Sequence, residues 1–179
     1  VRRVVGCLGM GLGGKAECTG AGADCRGLCR ALNSGTVWLC RRIAGDGGGA
    51  TSRREWCVTG AEDHATAKTV AKSIICSSLV KAAMFGADAN WGRVLCAIGY
   101  SGAPVNVHKV DVAFHSAAGT VRVCVDGAGI PFSEEAAKQV LLEKEIEILV
   151  DLKSGGEGAT AWGCDLTYDY VKINGDYRT

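Results

Sequence analysis

No C-x-x-C pair occurs among the 10 cysteines, and the three histidines, His64, His108 and His115, supply no H-x3-5-H spacing. Structural zinc needs two tight pairs, or one pair with spaced histidines, so the spacing argues against it and against a secreted disulfide framework. Cys76, Cys96, Cys124 and Cys164 instead sit among apolar neighbours, the setting of small buried thiols in a reducing compartment. An excess of either charge is also missing. Twenty basic residues stand against 19 acidic ones, a net charge of +1, which gives no electrostatic reason to expect nucleic acid or an anionic membrane as a partner. No apolar run approaches the roughly 20 residues that cross a bilayer. Arg2 and Arg3 ahead of a short glycine-broken segment make a poor signal peptide, and a soluble chain is expected.

What is present is an ordinary globular composition, 47% hydrophobic and 22% charged over 179 residues, enough for one sizeable core. Two parts differ in texture. Residues 1–56 hold 8 of the 11 arginines, 1 of the 9 lysines and 13 of the 26 glycines, with no sustained helical or strand period. From Cys57 onward, pattern, caps and turns agree with one another, as in a foldable sequence.

Asp63 to Phe85 reads as one helix, with Ala67, Val70, Ala71 and Ile74 tracing a stripe and Gly86 ending it. Asn90 to Tyr100 reads as a shorter apolar helix. Alternation then predicts strands at Val110, Val112 and Phe114, at Val121, Val123 and Val125, and at Ile146, Ile148, Val150 and Leu152. Ser133 is placed to cap a helix with Glu134 and Glu135 in its first turn. In the final segment, Gly158 to Thr179, Cys164, Leu166, Tyr168 and Tyr170 fall on one face of an extended run, and Asp165, Thr167 and Asp169 on the other. Hairpin-length loops such as Ser116 to Thr120 predict an α+β class, a layered mixed or antiparallel sheet with helices.

Several motifs invite chemistry. Gly9–Gly14 satisfies G-x-G-x-x-G, but no apolar helix follows to aim amides at a pyrophosphate, and a nucleotide site is not expected. Gly99–Ala103 nearly matches a nucleophile elbow; it follows a helix where the elbow needs a strand, so Ser101 reads as a turn residue. Asp88, Asn90 and Arg93 around Trp91 read as tryptophan packing with a helix-end bond in preference to a ligand site. Asp165, Asp169 and Asn174 are not spaced as a metal cage. The glycine cluster Gly45–Thr51 either lets backbone amides approach a ligand or forms a flexible turn.

Two stretches are long and specific: VKAAMFGADANWGR, ending at Arg93, and ATAWGCDLTYDYVKIN, ending at Asn174. With them, residues 43–179 resemble the C-terminal part of the β chain of glutamate N-acetyltransferase, also called ornithine acetyltransferase, of arginine biosynthesis. The likeness is close from Cys57 onward, and residues 1–42 look unrelated to that family. The resemblance implies a fold akin to N-terminal-nucleophile hydrolases and a precursor that cleaves itself into α and β chains. It also implies ping-pong acetyl transfer from N-acetylornithine to glutamate through the β chain's N-terminal threonine, whose own α-amine serves as base. A complementary α chain is the implied partner, in an α/β hetero-oligomer, and no cofactor is implied. A chloroplast stroma location follows if the source is a plant, and a soluble intracellular one otherwise.

Carried over by position, Asn174 and Thr179 match the family's substrate-binding residues, a carboxamide and a hydroxyl suited to an amino acid's amino and carboxylate groups. On the residues alone, the same segment reads as a disordered tail. Gly48 stands where the family has a substrate-contacting glutamate. The nucleophilic threonine, the lysine and the paired threonines of the α chain have no counterpart in this sequence, so no catalytic residue is assigned. The chain reads as a fragment of an acyltransferase, inactive alone, or alternatively as a non-catalytic amino-acid-binding module. If Asn174 and Thr179 contact substrate, extending the chain past Thr179 should weaken substrate binding in an assembled enzyme, measured by calorimetry; unchanged affinity would count against both residues.

Overall fold

The structure is a computed structural model, and it describes residues 22–45, 48–50 and 53–176. The chain divides into two units, Val1–Trp38 and Leu39–Thr179. The described part of the first is the opening of helix α1 (Ala23–Gly45), exposed along most of its length. A helix that buries so little needs no apolar stripe, which is why residues 1–56 show no helical period although a helix forms there.

The second unit is built on six strands: β1 (Arg53–Ala61), β2 (Asp111–Ser116), β3 (Gly119–Val125), β4 (Ala128–Gly129), β5 (Glu145–Asp151) and β6 (Glu157–Cys164). Their order is β4-β3-β2-β5-β1-β6, with β1 and β5 parallel and the other neighbours antiparallel. The expected mixed α+β sheet is therefore present. Three strands fall where alternation places them, and Ser116 pairs with Gly119 to close the expected hairpin.

Strand β1 escaped the periodicity, and the compositional boundary after residue 56 runs through it. Its inward positions are Arg54, Trp56 and Val58, all buried, and charged Arg54 breaks the apolar signal. Helix α2 (His64–Cys76) packs on β1 and β6, and α5 (Glu134–Leu141) packs on β2 and β3. Helices α3 (Ser78–Phe85) and α4 (Trp91–Gly99) pack beside α2. Between helices and sheet lies one core containing Trp56, Ile74, Met84, Ile98, Phe114, Leu141, Ile146 and Ile148. On the opposite sheet face Cys57, Ala113 and Leu149 stay half-exposed, lining an open cleft of about 430 Å³.

The single helix expected over Asp63 to Phe85 is two helices, α2 and α3. Ser77 takes an extended conformation (φ −70°, ψ 113°); its amide donates to the Ile74 carbonyl and its hydroxyl accepts from the Val80 amide. A serine offers the backbone this alternative to helix. Gly86 follows α3 as expected, but Ala87 takes the left-handed conformation (φ 51°). Asn90 and Ser133 cap α4 and α5 through side chains that accept from the Arg93 and Ala136 amides.

The end of the chain departs furthest. The strand expected to run through Tyr170 stops at Cys164, and Tyr168–Asp176 forms helix α6. Asp165 and Thr167, assigned to the polar face, are 0% and 4% exposed. The Thr167 hydroxyl accepts from the Tyr170 amide at 2.9 Å, a helix-starting cap that strand alternation cannot register. Cys124 and Cys164 are buried as expected, whereas Cys76 and Cys96 are exposed near the ends of their helices.

Ser77→Ala should destabilise the chain by about 1 kcal/mol through the lost cap. Urea unfolding should show a lowered midpoint with an unchanged slope; an unchanged midpoint would remove Ser77 as the device that separates α2 from α3.

Candidate functional site

The site is assembled around one buried cation. Arg54, 3% exposed, donates from Nη2 to the Met84 carbonyl at 3.2 Å, at the end of α3, and from Nη1 to the Glu143 carbonyl at 3.5 Å, just before β5. Burial lowers its pKa to about 10, opposed by the field of the Asp165 carboxylate. The guanidinium therefore stays charged at neutral pH, next to a fully buried carboxylate in the β6–α6 connector.

That connector, residues 165–167, is held at each step. Asp165 lies in the field of Arg54, the Leu166 amide donates to the Lys81 carbonyl at 3.3 Å, and the Thr167 hydroxyl donates to the Gly49 carbonyl at 2.6 Å. Helix α6 begins directly after it, with Asp169 in the first turn where the helix dipole favours a carboxylate. The Lys81 ammonium lies 4.9 Å from the Tyr170 ring centroid, and Phe85 meets Tyr168 edge-to-face at 5.5 Å.

The glycine cluster rests on this helix. Gly49 has φ +87°, and a Cβ there would lie 2.8 Å from the Asp169 carbonyl carbon and the Tyr170 nitrogen. Only glycine permits that approach. At Gly48 a Cβ would meet nothing closer than the Ile173 methyl at 3.6 Å, ordinary contact distance, so a side chain would fit there. One helical turn from this loop contact, Asn174 donates its amide to the Tyr170 carbonyl at 2.8 Å. Its carboxamide also carries an acceptor oxygen. Gly48 and Asn174, far apart in sequence, thus belong to one loop-and-helix assembly. Thr179 and the Gly9–Gly14 motif lie outside the described residues.

The remaining motifs resolve as structure. Ser101 accepts from the Ala103 amide at 3.1 Å in a turn that follows α4. Arg93 donates to the Leu79 carbonyl at 3.0 Å, and Asn90 caps α4. Cys57 has its pKa raised, first by burial and then by Glu55, the wrong direction for a nucleophile. Among the described residues no group of His, Cys, Asp or Glu could hold a metal ion, and no helix is long and apolar enough to cross a membrane. Sequence reasoning missed Arg54 and Thr167; neither the strand that carries the first nor the connector that carries the second is visible in the residue pattern.

The layered α+β fold matches a solved structure: that of arginine biosynthesis bifunctional protein argJ from Bacillus halodurans. The two share 43% identity at a TM-score of 0.82, over 93% of this chain and 77% of that one. A model described as "ArgJ family" matches residues 7–179, and the chain belongs to that family. The match begins well before Ile43, inside the segment expected to be unrelated to the family. An arginine biosynthesis bifunctional protein ArgJ from Caldanaerobacter subterraneus is 55% identical over 150 residues, 84% of this chain and 37% of the relative. A glutamate N-acetyltransferase from Methanopyrus kandleri is 45% identical over 150 residues, 84% of this chain and 38% of the relative. The chain thus spans well under half the length of these curated relatives. None of the three is a plant protein, and the chloroplast expectation has no support among them.

Removing the guanidinium while its carboxylate neighbour stays buried is costly. Arg54→Met should destabilise by about 3–5 kcal/mol, and Asp165→Asn in the same chain should recover part of it. Equilibrium unfolding of the two variants tests the pairing; purely additive losses would show that the two side chains act independently.

Proposed function

We propose that this chain is the C-terminal, β-chain part of an acetyltransferase of arginine biosynthesis that moves an acetyl group from N-acetylornithine to glutamate. The observation that carries the reading is the seating of Gly48–Ala50 on α6, which joins Gly48 and Asn174 in one assembly. These are two positions where the family resemblance expects substrate contacts. Asn174 supplies donor and acceptor groups for the amino acid, and Thr179 a hydroxyl at the chain's end. The threonine nucleophile, its α-amine base and the oxyanion hole belong in this reading to the rest of a longer protein, and the complementary partner is an α chain. The relatives' greater length supports such a partner, as do the half-exposed Cys57, Ala113 and Leu149 on the second sheet face.

Incubation of the purified chain with N-acetylornithine and glutamate should give no acetyl transfer until both an α chain and the threonine-bearing start of the β chain are supplied. Transfer by this chain alone would sink the division of labour. Ligand-induced stabilisation without turnover, even with both of those parts supplied, would favour a non-catalytic amino-acid-binding subunit instead.

Position 48 gives a sharper test. Gly48 has no carboxylate, and a Cβ there meets only the Ile173 methyl, at 3.6 Å. Gly48→Glu should tighten N-acetylornithine binding about tenfold, the scale of one added charge-assisted hydrogen bond. Calorimetry on the assembled enzyme measures it, and an unchanged affinity would place position 48 outside the substrate site.

A further inference from the structure

The β6–α6 connector carries a residue that no pattern or motif assigned a role. Thr167 is 4% exposed, and its hydroxyl bonds in two directions. Its hydrogen goes to the Gly49 carbonyl at 2.6 Å, and its oxygen accepts the Tyr170 amide at 2.9 Å. One oxygen therefore joins the glycine loop to the first turn of α6. The two backbones also touch, because a Cβ on Gly49 would lie 2.8 Å from Tyr170 N. Sliding the loop along the helix must break one of the two bonds, and both ends are backbone groups with no freedom to follow. A valine has the same shape and neither bond; a serine keeps both.

We propose that Thr167 is a positioning residue that locks Gly48–Ala50 and α6 into one unit and so fixes Gly48 relative to Asn174. Its functional meaning rests on the reading of these residues as an amino-acid site. The hydroxyl touches no substrate in this arrangement; it acts through the loop and the helix.

Amide hydrogen exchange on the full chain tests the lock. Thr167→Val should accelerate exchange at Ala50 and across Tyr170–Asn174 together, roughly tenfold, the scale of lost net hydrogen bonds. Val112–Phe114 in the sheet should stay unchanged, and Thr167→Ser should restore both segments. Acceleration of one segment alone, or of neither, overturns the proposal. Should the valine variant unfold, the unmodified chain decides: the Thr167 hydroxyl proton should exchange slowly enough to be seen by NMR, and a fast-exchanging hydroxyl overturns the lock. Adding N-acetylornithine to the same samples separates the two readings. Protection gained jointly by both segments, weaker in Thr167→Val and recovered in Thr167→Ser, supports lock and site alike. Joint acceleration in the variant with no effect of the ligand leaves the lock standing and removes the substrate site.

Discussion

A guanidinium taken out of water must be bonded and must have negative charge nearby, and most of the site's geometry follows from where Arg54 finds these. Its donors end on carbonyls of two segments, the close of α3 and the approach to β5, and its charge lies in the field of the connector after β6. Strand β1 stands between β5 and β6 in the sheet. From that position one side chain ties three elements that are remote in sequence. An apolar residue at position 54 would satisfy the core but would leave the helix end and the connector without a common anchor.

The connector carries that anchoring on to the glycine loop and the final helix. Asp165, Leu166 and Thr167 each engage a different neighbour: Arg54, the Lys81 carbonyl and the Gly49 carbonyl. Helix α6 starts from a base that is fixed on three sides, while its outer surface stays open, with Tyr168 84% exposed. A rigid base under an open surface suits binding, since little ordering remains to be done when a ligand arrives.

Much of the fold was legible because most elements bury one clean face. Val112 and Phe114, Ile146 and Ile148, and the stripe Ala67, Val70, Ala71 and Ile74 declare their periods, and Ser133 and Asn90 declare their helix starts. The failures share a cause: a polar residue serving the backbone or the core. Arg54 hid β1, Ser77 divided a helix that apolar spacing joined, and Thr167 turned an alternating run into a helix. At the candidate site, residue likeness pointed to Asn174 and Thr179, with Gly48 in place of a glutamate; that the glycine loop rests on the helix carrying Asn174 is encoded by no spacing in the sequence. Thr167 was invisible as a positioning group, because its hydroxyl matters through a carbonyl more than a hundred residues away.

The parallel pairing of β1 with β5 sets the order in which this chain can fold. Arg53 finds its partner at Glu145 and its other neighbour at Cys164. At ribosomal rates of about 5–20 residues per second, β1 therefore waits roughly 5–20 s with both edges unpaired. Trp56 and Val58 are exposed to other nascent chains during that interval. Arg54 and Glu55, which spoil the strand's apolar pattern in the native sheet, place charges within the segment while it waits, the arrangement that restrains edge-to-edge aggregation. The feature that obscured β1 in the sequence is thus also a safeguard during synthesis.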